Sequence, residues 1–89
     1  SSVIDDKTKT EAKSMIIEKI ESRAVRRVIG EELWRVRRLR NLSLSQLSKQ
    51  IGFPVNVLDK AEQGRGVPVY ILIKLLIFYK RKILVELVD

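Results

Sequence analysis

Residues 42–64 read LSLSQLSKQIGFPVNVLDKAEQG, two short amphipathic runs that meet at Gly52. Ser43 is placed to cap a helix over 44–50, because its hydroxyl can accept backbone N–H groups that the first helical turn leaves unpaired. Gly52 ends that helix. Pro54 then falls where a first helical position is expected, since a missing N–H costs nothing there. A second helix follows to about Gln63, and Gly64 stops it. Ser48 faces Gly52 across the turn, and a small side chain at 48 lets the two helices approach at the steep angle of an αα-turn. Leu47, Ile51 and Leu58 supply the apolar wedge between them.

Upstream, GEELWRVRRLR opens with Glu31 and Glu32 and closes with Arg37, Arg38 and Arg40, the charge order that a helix macrodipole favours. Gly30 is read as a break before this helix, and Asn41 as its stop, because asparagine tolerates the left-handed conformation. Leu33, Val36 and Arg40 share one side, Trp34 and Arg38 another. Earlier still, Thr8 and Glu11 have capping-box spacing, and Ala12, Ile16, Ile20, Ala24 and Val28 recur every four residues. These predict a further helix over roughly 10–28, too apolar on its stripe to face water alone. It is expected to pack on Trp34 or to pair with another copy of the chain.

Downstream, Pro68 opens a helix whose run VPVYILIKLLIFY holds Lys74 as its one charge. A helix apolar almost all round must bury more than one face. The run is 13 residues and ends in KRK, short of the roughly 20 residues of a membrane span. The tail KILVELVD fits either a short helix or a strand, and the N-terminus lacks the apolar core of a secretory signal. The chain divides into an arm and amphipathic helix over 1–28 and a helix-turn-helix unit over 29–89, all-α throughout.

Composition narrows the chemistry. The 89 residues include no Cys and no His, which removes disulfides, thiol nucleophiles, imidazole bases and nearly all transition-metal sites. The eleven acids are scattered, with no carboxylate motif for a metal, so an enzyme is not expected and no cofactor is implied. Eighteen Lys and Arg against eleven acids give a formal charge of +7, which favours a polyanionic partner, nucleic acid before membrane.

Taken in order, Ile29-Gly30-Glu31, Arg37, Leu42-Ser43, Leu47-Ser48-x-x-x-Gly52, Leu58, Glu62, Gly64 and Pro68 resemble the phage-repressor (Cro-like, or XRE) helix-turn-helix family over about two-thirds of the chain. The resemblance implies a five-helix lambda-repressor-like DNA-binding domain, here preceded by an extra N-terminal helix. It implies a recognition helix over about 54–63 in the major groove of double-stranded DNA, with Val55, Asn56, Asp59 and Lys60 toward the bases. Asn56 is the strongest base reader, because a carboxamide donates and accepts together on an adenine edge; Lys60 suits guanine or a phosphate, and Val55 a thymine methyl. Ser43, Ser45, Gln46, Lys49, Gln63 and Arg65, with the backbone N–H groups of Gly64 and Gly66, are expected to hold phosphates. The resemblance further implies a buried ion pair between Arg37 and Glu62.

The expectation is therefore a cytoplasmic, sequence-specific transcriptional regulator, such as a repressor, from a bacterial, phage or archaeal setting. It is expected to act as a homodimer, paired through the N-terminal helix, the apolar C-terminal helices or both, and not to bind membranes. A second reading stands beside it. The family commonly carries polar residues where this chain has Leu44, Pro54 and Val55, and Asp59 would face DNA unfavourably. Those departures suit a protein-interaction module, or an antitoxin-like partner-binding protein, on a helix-turn-helix scaffold with weak or no specific DNA binding.

Overall fold

A computed structural model describes residues 17, 18 and 20–81. They form four helices in chain order: α1 (Arg23–Leu39), α2 (Leu44–Ile51), α3 (Val55–Glu62) and α4 (Val69–Phe78). Helical backbone also occurs at 17, 18, 20 and 21, before a bend at Ser22. No strand occurs among the described residues, and no helix among them is long and apolar enough to cross a membrane. The Thr8–Glu11 capping box, Ala12, Ile16 and the tail KILVELVD lie outside the described residues.

The break expected at Gly30 falls instead at Ser22. Ser22 has extended backbone and its hydroxyl accepts the Val25 N–H at 3.2 Å, so it is the N-cap of a helix that runs straight through positions 28 and 30. Glu31 and Glu32 consequently sit mid-helix, where Glu32 takes two hydrogen bonds from Arg35 at 3.0 and 2.6 Å. Gly30 has a different reason for being glycine. A Cβ there would lie 2.6 Å from the Glu62 carbonyl oxygen and 2.7 Å from that of Ala61, so α1 and the end of α3 touch backbone to backbone.

The expected stripe along 12–28 fails in the part that can be seen. Ile20 is buried, but Ala24 is exposed and Val28 is 66% exposed. The bend at Ser22 separates Ile20 from Ala24 and Val28, so the four-residue repeat does not run along one face of a continuous helix. The core face of α1 is set by Ile29, Leu33, Val36 and Arg37. Trp34, on the opposite side, is exposed, with the Arg38 guanidinium 5.3 Å from its ring centroid.

The α1–α2 connection closes tightly. Asn41 adopts a left-handed φ of 54°, its N–H donates to Arg38 O at 3.0 Å, and the Leu42 N–H donates to Arg37 O at 3.1 Å. This paired closure satisfies carbonyls that the helix end would leave bare. Ser43 then caps α2 reciprocally with Gln46: the Gln46 N–H donates to Ser43 Oγ at 3.0 Å, and the Ser43 N–H donates to Gln46 Oε1 at 2.8 Å. Ser48 is more than small. Its hydroxyl donates to Phe53 O at 2.6 Å, tying α2 to the chain that enters α3. Pro54 and Pro68 sit one residue outside their helices, as extended N-cap residues.

Leu47 and Leu58 meet in the core with Leu33, Ile71, Leu72 and Leu75, while Ile51 is half-buried beside them. Tyr79 closes the base: it is buried, and Arg40 lies 5.2 Å over its ring and donates to its carbonyl at 3.2 Å. Burial pushes the Tyr79 phenol above its ordinary pKa. One face of α4, formed by Tyr70, Ile73, Lys74 and Ile77, remains exposed among the described residues.

Candidate nucleic-acid interface

The orientation of α3 is fixed from its buried side. Leu58 and Ala61 point into the core, Val57 is half-buried, and Glu62 reaches back to α1. Arg37 donates from Nε to Glu62 Oε2 at 2.7 Å and from Nη2 to Oε1 at 2.9 Å, and its Nη1 donates to Leu42 O at 2.9 Å. The two side chains keep only 10% and 6% of their surface exposed. The Glu62 hydrogen bonds hold the guanidinium above its ordinary pKa, against the opposing effect of burial. One planar arginine thereby joins the end of α1, the α1–α2 turn and the last turn of α3.

With that side anchored, Val55, Asn56, Asp59, Lys60 and Gln63 all face outward and exposed. Asp59 does not stand alone: its Oδ2 accepts the Gln63 Nε2 at 2.9 Å. This one-turn bridge occupies part of a carboxylate that sequence reasoning set bare against DNA. Gln63, expected among the phosphate contacts, is thereby partly committed to Asp59.

The other expected phosphate contacts divide. Ser45 and Lys49, four residues apart on α2, are exposed, and so is Arg65 in the loop after α3. Ser43 and Gln46 are also exposed, but each uses an oxygen in the cap of α2, so they build the helix end before they can hold anything else. Beside them lies a shallow depression of about 510 Å³ lined by Arg38, Asn41, Leu42 and Leu44 among others. The Gly64 N–H is taken by Ala61 O at 3.2 Å, which removes it as a phosphate donor.

Arg23, Arg26 and Arg27 are not among the contacts expected from the sequence. They line an open cleft of about 720 Å³ together with Lys60, Gln63 and Arg65, with Gly64, Gly66 and Glu21 completing its walls. Two glycines close the gap between α1 and α3 to make it. Besides Gly30, Gly64 has a left-handed φ of 73°, and a Cβ there would lie 2.8 Å from Arg27 Cα. No other residue could both adopt that backbone cheaply and let the α3–α4 loop lie on α1. The paired glycines were the available signal in the sequence.

No family model, curated protein or solved structure matches the chain.

Proposed function

We propose that this protein is a DNA-binding transcriptional regulator of the phage-repressor helix-turn-helix type, a binding protein and not an enzyme, with α3 as its recognition helix. The observation that carries the reading is the outward row Val55, Asn56, Asp59, Lys60 and Gln63, held on a helix whose inner side is locked by Leu58, Ala61 and the Arg37–Glu62 pair. A helix anchored so firmly from behind presents its side chains in fixed register, which base-edge readout requires. The adjoining cationic cleft and the net charge of +7 supply the attraction for a phosphate backbone.

In this reading Asn56 and Lys60 contact base edges, Val55 meets a thymine methyl, and Asp59 is held by Gln63 and accepts from a cytosine amine. Ser45, Lys49 and Arg65 contact phosphates. The exposed apolar face of α4, with Tyr70, Ile73 and Ile77, supports pairing of two copies. A two-fold dimer would set its recognition helices about 34 Å apart, one DNA turn. The same α4 face, together with the half-buried Leu44 and exposed Val55, favours the second reading, a protein-interaction module, should DNA binding fail.

Selection of preferred sites from a random duplex pool, followed by binding of wild type, Asn56→Ala and Lys60→Ala, tests the proposal. The expected result is a two-fold symmetric site bound by two chains. Asn56→Ala should then lose about 1–3 kcal/mol on that site and little on random DNA. Binding indifferent to sequence and to both substitutions would transfer the reading to the interaction module.

A further inference from the structure

We propose that the cleft between the start of α1 and the end of α3 is a backbone-phosphate clamp, through which Arg23, Arg27 and Arg65 grip DNA beside the base pairs that α3 reads. The inference rests on the functional reading above and adds a second contact surface to it, on a part of α1 that lies outside the region of family resemblance.

Five basic side chains converge there from three segments: Arg23, Arg26 and Arg27 from α1, Lys60 from α3, and Arg65 from the loop. Against them the cleft wall holds one acid, Glu21. Arg26 is committed to the fold, donating to the Val67 and Glu21 carbonyls. The side chains of Arg23, Arg27, Lys60 and Arg65 have no hydrogen-bond or ion-pair partner among the described residues. Arg23 and Arg27 also sit one helical turn apart, where like charges repel. Bringing five cations this close with a single acid among them is unfavourable in the free protein, and a polyanion laid along the cleft removes the conflict.

The neighbourhood decides which polyanion. Lys60 and Gln63 belong both to the outward row of α3 and to the cleft wall, so the two surfaces are continuous. Whatever fills the cleft runs past α3 as well. A duplex with α3 in its major groove presents a backbone strand at the rim of that groove, and the C-terminal end of the recognition helix meets it. The clamp then supplies sequence-independent affinity and fixes the angle of α3, while Asn56 and Lys60 supply preference.

The test uses the full chain in three forms: wild type, the double variant Arg23→Gln/Arg27→Gln, and the control Lys80→Gln/Arg81→Gln, which loses the same charge at exposed positions away from both the cleft and the exposed face of α4. Affinity for the selected duplex and for a scrambled one is measured from low to moderate salt. The cleft variant is expected to bind both duplexes at least tenfold more weakly at low salt, with its preference ratio intact. Its slope of log affinity against log salt should be shallower by about 2, close to 0.9 for each phosphate no longer neutralised. The control variant should follow wild type. Equal slopes for wild type and cleft variant overturn the clamp, as does a control variant that loses as much. A rise in melting temperature with inorganic pyrophosphate, seen in wild type and absent from a cleft variant of unchanged DNA affinity, overturns it in favour of a small anion. If wild type binds no duplex, the functional reading itself falls, an outcome distinct from all of these.

Discussion

Both ends of α1 are rich in arginine, and they treat most of it in opposite ways. At the C-terminal end, Arg37, Arg38 and Arg40 lie where the helix dipole welcomes positive charge. Arg37 is buried against Glu62, Arg40 covers Tyr79, and Arg38 lies over Trp34. At the N-terminal end, Arg23, Arg26 and Arg27 lie where the dipole disfavours them, with no acid in the first turn. Two of those three, Arg23 and Arg27, find no partner among the described residues. At the C-terminal end the arginines are structural cement; at the N-terminal end only Arg26 is, and Arg23 and Arg27 are the charge that the proposed clamp would use.

The sharpest way to break this contrast is at Glu62. Glu62→Ala leaves the Arg37 guanidinium in a pocket with only the Leu42 carbonyl to hold it, and removal of one member of a buried pair costs about 3–5 kcal/mol. For a domain of this size that lowers the melting temperature by more than about ten degrees. Arg37→Met/Glu62→Leu should recover much of the loss, since an apolar pair leaves no charge stranded. Thermal melts of the three proteins decide it. A drop of only a degree or two in Glu62→Ala would mean that water reaches the pair, and the two ends of α1 would then differ far less than their geometry indicates.

Gly30 lies between the ends and carries the next largest effect. Alanine is favoured over glycine inside a helix by about 1 kcal/mol. Here its Cβ would meet two backbone carbonyl oxygens at 2.6 and 2.7 Å, and a backbone cannot step aside as a side-chain tip can. Overpacking of this kind costs about 1–3 kcal/mol, so Gly30→Ala is expected to lower the melting temperature despite its better propensity. On the proposed reading it should weaken DNA binding as well, because it pushes the cleft walls apart. A stabilised Gly30→Ala would show that α1 and α3 stand far enough apart to admit a methyl group.

Gly30 also marks the boundary of what the sequence reveals. Helix caps are local, so Ser43, Gly52 and Asn41 announce α2 and its flanks within a few residues of chain. The wedge of Leu47 and Leu58 follows from helical period, and the Arg37–Glu62 contact from a familiar order of residues. A glycine within a helical pattern, by contrast, reads equally as a break or as a place where another backbone comes close, and the choice depends on where α3 lies. Ser22 is the true break, yet a serine before an arginine-rich run, with no Glu or Gln three residues on, carries no more signal than Ser45 does. The capping roles of Gln46 and the Asp59–Gln63 bridge were hidden for a related reason. Each is a one-turn contact that competes with solvent, and only side-chain placement resolves it. The cationic cleft was least legible of all, since its two halves are far apart in the chain and meet only because Gly30 and Gly64 admit the approach.

The smallest stability effect discriminates best between the two ends. Arg23 opens α1, so Arg23→Glu places a carboxylate where the dipole favours it by about 0.3–1 kcal/mol. It also turns a repulsion with Arg27 into an attraction worth about 0.2–0.5 kcal/mol. The melting temperature should therefore rise by a few degrees, while affinity for any duplex falls by more than in Arg23→Gln, because the clamp now repels phosphate. Opposite signs in the two measurements are the signature of a residue kept for a partner at some expense to the fold. A loss of stability in Arg23→Glu would place Arg23 among the structural arginines, and the two ends of α1 would then be alike.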